Sequence, residues 1–168
     1  MHAVQTLLLT IFPVLVIAGA LKDLTSFTIP NAISLALAAA FPVAAFALGL
    51  PPGVIGVSLA VGVGALVLGM GMFAAGWIGG GDAKLFAAAA LWLGLPAALS
   101  YVFFTGLAGG ALAVGLLGLR SGRVRAAMPA GPAWLARLAE PGENVPYGVA
   151  IALGALAAFP VSPLVAHL

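Results

Sequence analysis

Residues 79–94 read GGGDAKLFAAAALWLG: three glycines, an acid, a lysine two places on, and then an uninterrupted apolar run that closes on Gly94. Such a run, opened by a helix-starting carboxylate and free of further charge, predicts a helix beginning at Asp82 and surrounded by apolar material. The rest of the chain repeats the pattern. Of its 168 residues 64% are hydrophobic and only 6% charged, with a mean hydropathy of +1.25, and a soluble domain of this length would need many more charges to stay dissolved. Lipid is therefore the solvent for most of the surface. A bilayer core takes a helix of roughly 20 apolar residues, so about six spans with short connections use up the chain.

Apolar runs broken by Gly, Pro and charge predict spans near 3–21, 31–49, 53–76, 83–97, 98–119 and 147–166. The expected fold is an all-α membrane protein, a six-transmembrane helix bundle forming one domain over residues 1–168. Ala18-Gly19-Ala20 resembles a signal-peptidase site, but the apolar run before it has no Lys or Arg ahead of it and is long enough to span. The boundary between the fourth and fifth spans rests on Gly94, Leu95, Pro96 and Ser100, because one helix over 83–119 would be nearly twice the length of the bilayer.

Every charged residue falls in alternate connections: Lys22 and Asp23; Asp82 and Lys84; then Arg120, Arg123, Arg125, Arg137, Glu140 and Glu143. Odd-numbered loops share one side of a six-span protein. With all six Lys and Arg there, the positive-inside rule makes that side cytoplasmic and puts both termini outside, in the periplasm of a bacterial inner membrane. The net charge of +2 carries no basic patch interleaved with aromatics, so a nucleic-acid partner is not expected. In the long connection, residues 120–146, Trp134, Leu135 and Leu138 share a face opposite Arg137 and Glu140, a short amphipathic turn suited to the membrane surface. The glycines of the third span (Gly56, Gly62, Gly64, Gly69, Gly71, Gly76) and the Gly106–Gly110 pair of the fifth predict close helix packing.

Asp23 and Asp82 are the only aspartates. A carboxylate at Asp82 caps its helix or does chemistry. The glycines before it exceed what a cap requires and would let another backbone come close. Asp23 follows the carboxyl end of the first span, where the helix dipole disfavours negative charge, and Lys22 points elsewhere. An aspartate inside a membrane helix costs roughly 2.5 to 3.5 kcal/mol at the centre and less near the edge, which makes function the default reading. Both fall on the cytoplasmic side by the topology above. Two adjoining carboxyls would share a proton, one form activating water while the other protonates a carbonyl oxygen.

Asp23–Asn31 (DLTSFTIPN), Gly79–Gly94 and Val145–Gly154 (VPYGVAIALG) resemble the prepilin peptidases, GxGD-type intramembrane aspartic peptidases, and specifically the short form that serves tight-adherence (Flp) pili. Signal-peptide peptidases and presenilins share GxGD, but their Tyr-Asp and Pro-Ala-Leu motifs are missing. The resemblance implies that Asp23 and Asp82 are catalytic and that Gly79, Gly81, Lys84, Pro30, Asn31 and Tyr147 support the site. It implies prepilin and pseudopilin precursors as substrates, each with a short basic leader ahead of an apolar helix and cleaved after a glycine at the cytoplasmic face, with the lipid bilayer and pilus-assembly machinery as the other partners. Long members also methylate the new terminus through a domain between the first two spans. Residues 22–30 are too few to hold one, so cleavage without methylation is expected. Lys84 either holds a substrate carboxylate, tunes Asp82 or snorkels to the interface; Pro30 and Asn31 set the start of the second span, with Asn31 as its cap; Tyr147 either reaches the site or sits in the aromatic belt.

No cofactor or metal is expected. The chain has no cysteine, and His2 and His167 stand at opposite ends without an HExxH pair or a GxSxG elbow. The competing reading is a non-enzymatic membrane transporter or pilus-assembly factor, for which an ionisable or broken helix near midplane would be expected.

Overall fold

The computed structural model describes residues 2–127 and 131–167; the part of the predicted 120–146 connection at 128–130 lies outside the described residues. The helices are α1 (His2–Ser26), α2 (Asn31–Ala47), α3 (Pro52–Ala74), α4 (Gly80–Leu119), α5 (Gly122–Ala127), α6 (Ala133–Leu138) and α7 (Tyr147–Ala158), followed by a 3-10 turn (Phe159–Val161) and α8 (Pro163–Ala166), with no strand among the described residues. Four stretches are long and apolar enough to cross a membrane: Val4–Ser26, Pro52–Ala74, Gly80–Leu119 and Tyr147–Ala166. The expected six separate spans differ from these four for two reasons: α2 is a shorter apolar helix, and the fourth and fifth expected spans follow one another directly as the two halves of α4, joined at a non-helical Gly94.

That kink reverses the chain. Gly94 has φ 60° and ψ −174°, a conformation closed to residues with a Cβ. Phe86 and Tyr101 would be about 22 Å apart along a straight helix, yet their rings stack with centroids at 4.9 Å and the Tyr101 hydroxyl donates to the Phe86 carbonyl at 3.2 Å. The two halves of α4 therefore lie side by side. The turn falls at Gly94 itself, and Leu95 already belongs to the returning helix.

The core gathers around Trp92, fully buried between α1 and α2. Its ring meets Phe12 at 5.6 Å and Phe41 at 6.1 Å, and its indole N–H donates to the Leu37 carbonyl at 2.7 Å, which satisfies the one polar atom of a buried tryptophan. Close packing by glycine is selective. Gly69 lies against Ala83 and Gly62 against Leu91, each with a neighbour about 3.0 to 3.1 Å from where a Cβ would be, whereas Gly56, Gly64 and Gly71 face open space. Gly106 and Gly110 also meet nothing within 4 Å, contrary to the expectation that they draw two helices of the chain together. Outside, Leu7, Val14, Val63, Val67, Phe103 and Leu117 stand exposed, a surface fit for hydrocarbon.

Two helix ends differ from expectation. Helix α1 continues past Leu21 to Ser26: the Phe27 N–H still donates to the Asp23 carbonyl at 2.8 Å, and the Thr25 and Ser26 hydroxyls bond back to the Leu21 and Lys22 carbonyls. Asp23 is thus inside α1. Pro30, not Asn31, is the cap residue of α2, and no side chain caps it; the Asn31 carbonyl is engaged elsewhere.

Gly94→Ala would force a strained backbone and drive a Cβ to 2.9 Å from Ser58 Oγ and 3.0 Å from Pro163 Cγ. Its cost is expected at about 2 kcal/mol or more, read as a lowered thermal midpoint and a loss of monodisperse protein in detergent.

Candidate active site

At one end of the bundle the last turn of α1, the α3–α4 turn, the first turn of α4 and the start of α7 converge on a cavity of about 490 Å3 lined by Asp23, Phe27, Trp77, Gly79, Asp82, Glu143 and Tyr147, among others. The two aspartates, far apart in the chain, line this one pocket. Both are buried, at 5% and 7% exposure.

A backbone donor anchors each carboxyl. Asp82 Oδ2 accepts from the Gly79 N–H at 3.0 Å, so the carboxylate does cap its helix. Its Oδ1 is buried and has no hydrogen-bond partner among the described residues. One oxygen builds the helix start; the other faces the pocket side of the bundle without a hydrogen bond. Asp23 Oδ2 accepts from the Gly148 N–H at 2.7 Å. Gly148 belongs to the first turn of α7, whose amino-terminal partial positive charge offsets the unfavourable position of Asp23 at the end of α1. A Cβ at Gly148 would stand 2.9 Å from Asp23 Cβ and Oδ2 and from Ile29 Cδ1, so only glycine permits the contact.

The other predicted residues divide. Gly79 and Tyr147 line the pocket. Gly81 serves close approach, but of this chain's own Ile29, whose carbonyl oxygen would lie 3.2 Å from a Cβ there. Lys84 donates to Asn31 Oδ1 at 2.9 Å, and the two line a different groove between α2, α3 and α4. Pro30 shapes the α1–α2 turn and is not among the pocket's lining residues.

Sequence reasoning missed the pocket's outer wall. Phe27 ends α1 at φ 54°, a left-handed conformation usually left to glycine. The Arg137 guanidinium sits 4.7 Å from its ring centre, and Arg137 Nε donates to Glu143 Oε1 at 2.9 Å. That hydrogen bond, with the charge of Arg137, holds the Glu143 carboxyl below the usual carboxylate range, so it is ionised at neutral pH. Arg120 donates to the carbonyls of Leu138 and Asn144, both at 3.0 Å. The charges that marked topology in the sequence thus also strap the long connection over the pocket. The one available signal was Gly148, the residue after Tyr147 in a helix-opening Pro-Tyr-Gly.

Two buried carboxyls on one pocket, held by apolar helices, define a membrane-embedded protein equipped for acid-base chemistry. A family model described as the type IV leader peptidase family matches residues 10–114, which include both aspartates. The chain belongs to that family, whose members are aspartic prepilin peptidases, and it is accordingly a hydrolase acting on prepilins. Comparisons with curated proteins and with solved structures found no match.

Gly148→Ala keeps a good helix former in α7 but displaces the Asp23 carboxyl. Precursor cleavage is expected to fall by about 10- to 100-fold, since misplacement by about 1 Å has effects of that order, and the thermal midpoint is expected to fall as well, because overpacking a close contact costs about 1 to 3 kcal/mol.

Proposed function

We propose that this chain removes the leader of Flp-type pilin precursors at the cytoplasmic face of the inner membrane, with Asp23 and Asp82 as the catalytic pair and without methylating the new terminus. The observation that carries the assignment is the meeting of the two aspartates on one pocket, each tied to a backbone N–H and Asp82 retaining an unpartnered oxygen. A pair sharing one proton takes a proton from water through its carboxylate, and the resulting hydroxide adds to the carbonyl carbon of the scissile bond. The protonated partner gives its proton to the carbonyl oxygen. Collapse of the tetrahedral species then breaks the C–N bond as the leaving amine is protonated, and the pair returns to its starting charge. Acid-base transfer of this kind contributes roughly 10²- to 10⁴-fold; positioning of the peptide supplies the remainder.

A six-crossing reading supports the cytoplasmic assignment. With α2 and the two halves of α4 each counted as a crossing, the α1–α2 turn, the α3–α4 turn and the connection before α7 would share one side, and all six Lys and Arg lie at that end: Lys22 in the last turns of α1, Lys84 in the first turns of α4, and Arg120, Arg123, Arg125 and Arg137 in the connection. The reading without methylation is supported by the short α1–α2 turn, Phe27–Pro30, which holds no domain of its own.

Co-expression with a pilin precursor tests the pair. Asp23→Asn and Asp82→Asn are each expected to lower processing by at least about 100-fold, and a normal rate from either variant refutes the assignment. Chelators and serine- or thiol-directed reagents are expected to leave cleavage unchanged. Topology has its own test: since the chain lacks cysteine, Ser26→Cys and Ser121→Cys should both react with an impermeant maleimide only from the cytoplasmic side.

A further inference from the structure

A second cavity, of about 480 Å3, adjoins the one that holds the carboxyls and shares Trp77, Ile78 and Tyr147 with it. It runs down from that shared wall between Leu68 and Met72 of α3 and the returning half of α4. On that half Gly106 and Gly110 line the cavity, and a side chain added at either would touch nothing within 4 Å. Two small residues at four-residue spacing are the arrangement by which membrane helices bring their backbones together. Among the described residues no helix takes up the arrangement, although Gly109, on the adjoining face, lies against Tyr147 and Ala150 of α7.

From the continuity of the two cavities we infer that this groove seats an apolar α-helix of the substrate and delivers the peptide bond beyond its end to Asp23 and Asp82. The inference rests on the peptidase reading above and deepens it. The flanking helices lie in lipid by composition, so an occupant must be apolar along its length. A polypeptide in hydrocarbon must satisfy its own backbone hydrogen bonds, which makes it helical. At the shared wall the lining changes from apolar side chains to Asp23, Asp82, Glu143 and Asn144. Helical chain can enter from one side of Trp77 and Tyr147, and unwound chain can meet the carboxyls on the other. Specificity then resides partly in the groove, because a precursor without a helix narrow enough to approach Gly106 and Gly110 would not set its scissile bond in place.

The lack of native cysteine makes the test direct. Gly110→Cys, and Gly115→Cys at an exposed position turned away from the groove, are each combined with single cysteines along the apolar segment of a type IV pilin precursor and oxidised in membranes. Disulfides to Gly110→Cys are expected at every third or fourth precursor position, and few to Gly115→Cys. In cleavage assays Gly106→Leu and Gly110→Leu fill the groove from open space and are expected to raise KM about tenfold or more with kcat little changed, while Gly115→Leu behaves as wild type. Wild-type kinetics for both groove variants, the result expected if only lipid chains occupy the groove, overturn the inference; so does equal cross-linking from the two cysteine positions. Failure of the catalytic assignment has a different signature: Asp23→Asn or Asp82→Asn would cleave normally while the groove variants still raise KM.

Discussion

The contact on which the site depends is the hydrogen bond from the Gly148 N–H to Asp23 Oδ2 at 2.7 Å. It joins the end of the first helix to the beginning of the last long one, and it does so with a charge-bearing group inside the protein. A buried carboxyl is costly unless its oxygens are hydrogen-bonded. The free N–H groups at the start of α7 supply that bonding without a cationic side chain, which leaves the carboxyl able to exchange a proton. Substitution of a lysine or arginine partner would hold the group permanently ionised. The need for a bare backbone amide at close range explains why position 148 is glycine, and why α7 must enter the bundle where it does.

Lipid supplies no hydrophobic drive between helices, so contact area must come from shape. The chain meets that requirement with small residues on one partner and larger ones on the other. Gly69 on Ala83 and Gly62 on Leu91 fasten α3 to the outgoing half of α4. Trp92 fills the centre and is held by the Leu37 carbonyl. This packing sets the outgoing half of α4 in register with α1 and α2, and that register brings Asp82 to the level of Asp23. The reversal at Gly94 then returns the chain along itself, so that α7 packs against α4 as well as α1.

The mouth of the pocket is polar and strapped. Arg120 bonds two carbonyls of the connection that follows α5, and Arg137 links Glu143 to the ring of Phe27. Exposed ion pairs of this sort contribute little stability singly. Their effect is geometric: they tie the connection that carries Glu143 and Asn144, both lining the pocket, to Arg120 at the end of α4 and to the ring of Phe27. The apolar cavity and the polar pocket beside it meet at Trp77, Ile78 and Tyr147.

Much of this was legible in the residues. Long unbroken apolar runs pointed to helices in lipid, since a helix satisfies its own backbone polar groups there and the strands of a barrel would be short and alternating instead. Asp23 and Asp82 stood out because they are the only aspartates and border apolar runs, and Gly94-Leu95-Pro96 marked a reversal because glycine reaches conformations closed to other residues. The individual helix ends were less legible: backbone hydrogen bonding carries α1 past its apolar run through Thr25 and Ser26, whose hydroxyls fold back onto the helix, and Asn31 was drawn from capping to Lys84. Which glycines pack and which face open space could not be read, because spacing defines a helix face but not what stands opposite it. The partner of Asp23 was decided only by the tertiary structure: a backbone N–H has no side-chain identity to betray it, and its power to bind a carboxyl comes from where a helix begins in space.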